Sequence, residues 1–175
     1  LAVKGKTIQV AERTITLNDA GLPEQIVARG DDVLAAPVSL EASRNGQTLP
    51  LAPAGTLAVK TTGEVRADAK GGLQGDGLAI KIESYTEFDG MMWFTLTLAP
   101  ETEGQTTTLD TLTLRVPVNP DSAGLFHWWS GNRNFRDPKS VHIGALPTEQ
   151  DVVFRSNDEK TLIRPPELRG SFIPY

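Results

Sequence analysis

Between Leu78 and Pro100 the sequence alternates apolar and polar residues on either side of Asp89-Gly90, and that pattern permits few arrangements. Alternation of this kind marks a half-buried strand. An Asp-Gly pair between two such runs marks a hairpin. Leu78, Ile80 and Ile82 share one face of the first run, and Met92, Phe94, Leu96 and Leu98 share one face of the second. A loop of Asp89 and Gly90 alone would set Phe88 opposite Met91 and Ile82 opposite Thr97. The two apolar rows would then lie on opposite faces, because a one-residue slip flips every side chain. A loop of Phe88, Asp89 and Gly90 instead sets Glu87 opposite Met91, Ile82 opposite Leu96 and Ile80 opposite Leu98. Gly90 then takes the left-handed position of a bulged turn, where glycine carries no Cβ penalty. The same register places Tyr85 beside Trp93 on the other face, where the pair is expected to pack under a second layer rather than to hold a ligand.

The rest of the chain reads as many short strands with turn residues between them. Thr7–Val10 and Arg13–Leu17 are rich in β-branched residues. Asn18-Asp19-Ala20-Gly21 turns the chain into Leu22–Val27, which Pro23 makes an edge or entry segment. Val33–Ala42 is a strand broken by Pro37, and Arg44-Asn45-Gly46-Gln47 is a hairpin turn. Leu57–Thr61 and Glu64–Ala67 flank Thr62-Gly63. Lys70–Gly77 is glycine-rich and is expected to be a flexible connector. It lacks the Gly-Lys-Ser/Thr of a phosphate loop and the period of a calcium-binding repeat. Leu112, Leu114, Val116 and Val118 alternate as a half-buried strand expected beside the hairpin. Val141–Ile143 and Asp151–Phe154 are further strand candidates. Helical candidates are confined to Asp121–Ala123 and Thr148–Gln150. Together these features predict an all-β, antiparallel β-sandwich with long irregular loops and little or no helix.

The chain has 175 residues, which suits one domain over residues 1–175 with a sizeable core. It has no cysteine, which excludes disulfides, zinc-thiolate sites and cysteine nucleophiles. A net charge of −5 argues against nucleic acid and anionic membrane as partners. No apolar run approaches the roughly 20 residues that span a bilayer. The sequence opens at Leu1 without methionine or signal peptide and closes on apolar Phe172-Ile173-Pro174-Tyr175. It is therefore expected to be excised from a longer chain that continues past Tyr175.

Three groups of residues could carry chemistry. Glu83, Glu87 and Asp89 could be drawn as a glycosidase acid pair, but turn geometry accounts for Asp89 and solvent exposure for the two glutamates. His127 and His142 match no metal-ligand spacing, and a triad of Ser130, His127 and Asp137 lacks a nucleophile elbow. No catalytic residue, metal ligand or cofactor is assigned. The stretch His127-Trp128-Trp129-Ser130-Gly131-Asn132-Arg133-Asn134-Phe135-Arg136-Asp137 has the most ligand-like composition. Sugars present apolar C–H faces ringed by hydroxyls, which aromatic rings beside amides and guanidinium groups complement. The candidate carbohydrate-binding set is His127, Trp128, Trp129, Asn132 and Arg133. The competing account places one tryptophan in a core and the other under a loop.

Three stretches carry a family resemblance. They are Leu17–Ile26 with Leu34-Ala35-Ala36-Pro37, Glu87–Met92 with Leu112–Val118, and Phe172-Ile173-Pro174-Tyr175. Together they resemble the N-terminal β-sandwich region of large bacterial proteins related to glycoside hydrolase family 123. The resemblance implies a secreted or periplasmic, non-catalytic accessory domain. Such a domain would buttress a catalytic barrel of the same chain and contribute to glycan binding. In that family the catalytic acids lie in the barrel, so none is carried over. The alternative is an independent carbohydrate-binding or adhesion module of a cell-surface protein.

Overall fold

The computed structural model describes residues 1–129 and 141–145, with side chains described through residue 124. Contacts divide the chain into two compact units, Leu1–Asn119 and Pro120–Tyr175. In chain order the strands are β1 (Ala2–Lys4), β2 (Thr7–Val10), β3 (Arg13–Leu17), β4 (Pro23–Ala28), β5 (Asp31–Asp32), β6 (Ser39–Arg44), β7 (Gln47–Thr48), β8 (Ala52–Pro53), β9 (Ala58–Thr62), β10 (Arg66–Gly75), β11 (Leu78–Glu87), β12 (Met92–Pro100), β13 (Thr111–Arg115), β14 (Leu125–Trp129) and β15 (Val141–Ala145). Every ladder is antiparallel, and no helix occurs among the described residues. The expected all-β class is observed. Asp151–Phe154 and Thr148–Gln150 lie outside the described residues, and Asp121–Ala123 forms a turn.

The first unit holds three sheets. β1 to β5 form a meander in sequence order. β13, β6 and β7 form a second sheet, and β12, β11 and β10 form the third, with β9 and β8 sharing the far edge of β10. The second unit contains the β14–β15 pair.

The β11–β12 hairpin has the register that its apolar alternation demands. Ile80 pairs with Leu98, Ile82 with Leu96 and Tyr85 with Trp93. The turn is Phe88-Asp89-Gly90, closed by the Glu87 amide on the Met91 carbonyl at 2.9 Å. Gly90 has φ of 89°. The Asp89 carboxylate accepts the Met91 amide at 2.9 Å, and Arg13 of β3 donates to the Asp89 carbonyl at 2.5 Å. Thus the turn is locked by its own side chain and tied to the first sheet.

The glycine-rich stretch is no connector. Residues 66–75 form the continuous strand β10, and the chain reverses at Asp76-Gly77, which have φ of 54° and 79°. Two consecutive positive φ values define the two-residue turn that matches strand twist. Gly75 pairs with Leu78 across it. Glycines persist inside the strand because other backbone lies against it. A Cβ on Gly71 would sit 2.7 Å from the Ala20 carbonyl carbon, and closer still to its oxygen.

These two turns align the strands so that one face of β10–β12 is apolar along its length. That face is divided between two cores. Ala67 and Ala69 of β10 pack with Ile8, Val10, Ile15 and Leu17 of β2 and β3. Leu73 of β10 and Leu78, Ile80 and Ile82 of β11 pack with Leu40 and Ala42 of β6. Hence the long sheet is the shared layer, and the two shorter sheets cover its two ends.

β13 departs from expectation. It pairs with β6 rather than with the hairpin, and Leu112 and Leu114 are 39% and 52% exposed. Val116 and Val118, just beyond it, are also exposed. Their alternation is that of a half-buried strand, yet β13 is an edge strand exposed at every position, and Val118 beyond it forms only an isolated antiparallel bridge with Leu34. Sequence pattern reports a side chain's face and not whether that face is covered.

Two substitutions test this architecture. Ile82→Ala is expected to lower the unfolding free energy by about 2–5 kcal/mol, as for other buried aliphatic truncations. Gly71→Ala should cost about 1–3 kcal/mol through overpacking against Ala20. Urea denaturation measures both. A Gly71→Ala effect within about 0.5 kcal/mol, the range of surface changes, would contradict the close approach.

Candidate functional site

The second face of the long sheet is open. Side chains at Arg66, Asp68 and Lys70 of β10 alternate with the buried Ala67 and Ala69, so they point away from the cores. Lys81, Glu83, Tyr85 and Glu87 of β11 and Trp93 and Thr95 of β12 share that face. Strand pairing arranges them in rows. Lys60 of β9 is level with Asp68, Asp68 with Tyr85, and Tyr85 with Trp93. The neighbouring row runs Lys70, Glu83, Thr95. With adjacent strands about 4.8 Å apart, the first row spans about 14 Å. A groove of about 460 Å³ lies over these rows, lined by Lys60, Arg66, Asp68, Lys70, Tyr85 and Trp93 among others.

The expectation that Tyr85 and Trp93 pack beneath a second layer is corrected by this arrangement, since Trp93 is 58% exposed. Both other sheets of the first unit pack on the apolar face. Tyr85 is half-buried, and the Arg66 guanidinium lies 4.1 Å from its ring centroid. This cation–π contact holds one face of the Tyr85 ring.

The charges on the face are paired in a definite pattern. Arg66 bridges Asp68 at 2.6 Å, and the Thr62 hydroxyl also donates to the Asp68 carboxylate. Glu83 lies between two lysines, Lys70 at 2.9 Å and Lys81 at 2.8 Å. The Thr62 hydrogen bond leads in holding Asp68 below its ordinary value of 3.8. Arg66 and the Lys60 charge help, and burial opposes them. The Lys81 and Lys70 hydrogen bonds hold Glu83 below 4.5, and Glu83 in turn holds Lys70 above 10.5. A glycosidase acid needs the opposite shift, a carboxyl raised toward neutrality. These two carboxylates can accept hydrogen bonds at neutral pH but are poor proton donors.

The expected acidic trio does not form one site. Asp89 is a turn residue bonded to the Met91 amide. Glu87 is level with Arg66, and Glu83 belongs to the lysine-flanked row. Among the described residues, no group of three or more His, Cys, Asp or Glu is placed to hold a metal ion. Of the five candidate carbohydrate-binding residues, His127, Trp128 and Trp129 lie on β14. There Trp128 is level with His142 and Trp129 with Val141 of β15. Asn132 and Arg133, like Ser130 and Asp137, lie outside the described residues.

Sequence reasoning missed Arg66, Asp68 and Lys70. Their signal was present in Arg66-Ala67-Asp68-Ala69-Lys70, a strict alternation of charged and small apolar residues. The glycines that follow obscured it.

The motif residues of the resemblance have structural roles. Asn18 caps its own turn, accepting the Ala20 and Leu22 amides at 3.0 and 3.1 Å. Gly21 has φ of 90° and faces Gly71, and Leu22 is buried. Residues 1–139 match the family model described as glycoside hydrolase 123, third domain. No curated protein and no solved structure matches the chain. The description numbers the domain third, where the resemblance implies an N-terminal region.

The ion-pair network predicts a pH signature. Depressed carboxylate values stabilise the fold fully above the ordinary values and lose that contribution as pH falls through the depressed ones. The raised Lys70 value contributes fully below 10.5 and is lost as pH rises through the folded value. The stability gap between the protein and Glu83→Gln should therefore be constant between pH 4.5 and pH 10.5 and shrink on either side. Urea titrations across pH measure it. A gap that persists in strong acid would show that the Glu83 charge is not what the lysines hold.

Proposed function

The chain belongs to the family of glycoside hydrolase 123 third domains, and from that premise we propose that it is a non-catalytic accessory domain of a multidomain glycoside hydrolase. Its work is to support a separate catalytic barrel of the same polypeptide and to contribute to glycan binding. A domain described as third implies others in the same chain. The open-face carboxylates support the non-catalytic role. Asp68 and Glu83 are each held ionised by paired partners, with pKa values lowered. Hydrolysis by paired acids needs one protonated donor opposite a base or nucleophile.

The glycan part is supported by exposed aromatic surface beside mixed donors and acceptors. Trp93 with Tyr85, Asp68 and Lys60 supplies it in the first unit. In the second unit the proposed contributors are His127, Trp128, Trp129, Asn132 and Arg133, chosen for residue chemistry. An assembly of this kind separates tasks. Bond cleavage is left to the barrel, and the β domain adds area and polar contacts along the substrate.

Kinetics on chromogenic glycosides test the reading. The 175-residue chain should release no chromophore. In the intact multidomain enzyme, Asp68→Asn, Glu83→Gln and Glu87→Gln should each leave kcat within about twofold, with any loss of glycan contact appearing in KM, since none supplies a proton in the transition state. A fall of about a hundredfold or more in kcat, the usual loss for a general acid, would refute the non-catalytic assignment.

A further inference from the structure

We propose that the open face of β10, β11 and β12 binds a neutral oligosaccharide, with Trp93 as the stacking platform and the Lys60–Asp68–Tyr85 row as its hydrogen-bonding rim. This rests on the accessory-domain reading above and names the surface and the ligand class for it.

The geometry supplies both halves of sugar recognition. Trp93 is 58% exposed and ends a row of level residues, Lys60, Asp68, Tyr85 and Trp93. Arg66 already covers one face of Tyr85, so Trp93 offers the larger aromatic surface. An indole face accepts the apolar C–H side of a pyranose as it accepts other flat apolar groups. The polar groups then sit to one side, along a row of about 14 Å. That is long enough for a chain of rings lying across the strands, and the groove above it is about 460 Å³.

The mix of charges decides the ligand's chemistry. Sugar hydroxyls both donate and accept. The rim offers ammonium and guanidinium donors at Lys60, Lys70 and Arg66, and carboxylate acceptors at Asp68 and Glu83. Arg66, Lys70 and Lys81 are already paired with Asp68 and Glu83, so an anionic saccharide or a nucleic acid would have to compete with those carboxylates for its cations. A purely apolar ligand would strip water from charges without replacing its hydrogen bonds. A neutral polyhydroxylated chain meets neither penalty. Because Arg66–Asp68 and Lys70–Glu83–Lys81 are already paired, the rim is held in place before any ligand arrives, which reduces the ordering cost of binding.

The test is titration of the 175-residue chain with neutral hexose and N-acetylhexosamine tetrasaccharides, with a hexuronate tetrasaccharide as the anionic control. The readouts are the indole N–H resonance of Trp93, assigned by its loss in Trp93→Phe, and the Kd. At least one neutral tetrasaccharide should shift that resonance. Trp93→Ala should weaken binding by roughly tenfold or more without lowering Tm, and Trp93→Phe should retain most of it. The proposal is overturned if no tetrasaccharide shifts the resonance, or if the hexuronate binds as tightly as the neutral ones. It is also overturned if Trp93→Ala binds unchanged. That last result would move the glycan elsewhere and leave the accessory-domain reading standing. The accessory-domain reading fails separately, through chromophore release by this chain.

Discussion

The first unit depends on the parity of two turns. Asp76-Gly77 is a two-residue reversal and Phe88-Asp89-Gly90 a three-residue one. Each sets which residues of the next strand stand level with those of the last. Together they put Ala67, Ala69, Leu73, Ile80, Ile82, Phe94 and Leu96 on one side of a single sheet. One residue more or less in either turn would send an apolar row to solvent and a charged row into a core. Neither outcome is tolerable, because burying Arg66, Asp68, Lys70 and Glu83 costs on the order of several kcal/mol per charge, which together rivals a small domain's net stability. The glycines are specified by the same constraint. Only a residue without a Cβ lets the Ala20–Gly21 turn lie on Gly71.

That division of faces connects fold to function. The apolar face is long enough to serve two cores, so both shorter sheets pack on it and neither covers the other side. What lies opposite is a groove floored by paired charges with an exposed indole at its edge. Surface ion pairs of this kind contribute little to stability, about 0–1 kcal/mol each. Their clearer effect is to hold side chains in fixed positions over the sheet. A binding face benefits from such order, and a catalytic acid would be hindered by it.

The sequence made some of this legible and hid the rest for physical reasons. The β11–β12 register could be read because both strands alternate cleanly and a two-residue loop puts their apolar rows on opposite faces whereas a three-residue loop aligns them. Asn45-Gly46 and the Asn18 turn were legible from turn chemistry. The strand character of Lys70–Gly75 was hidden, because glycine tolerated for close packing looks the same in sequence as glycine used for flexibility. Trp93's exposure was hidden too. Alternation places it opposite the core but cannot say whether another layer covers that side. The partner of β13 was equally out of reach. Pairing with β6 spans about 70 residues of chain, a long-range contact that no local pattern encodes. Of the candidate site, Tyr85 and Trp93 were paired correctly but read as packing, and the charged partners on β10 were missed.

The register of β11 against β12 decides which face Trp93 occupies. Cross-strand Hα–Hα NOEs measure it most directly. The Glu87–Met91 bond at the turn makes that pair hydrogen-bonded, so the alternate pairs Ser84–Phe94 and Ile82–Leu96 bring their Cα atoms closest. Strong NOEs between Ile82 and Leu96 and between Ser84 and Phe94 are the predicted result. An NOE placing Ile82 level with Thr97 would contradict the account, because Trp93 would then turn toward the core and the open face would lose its platform.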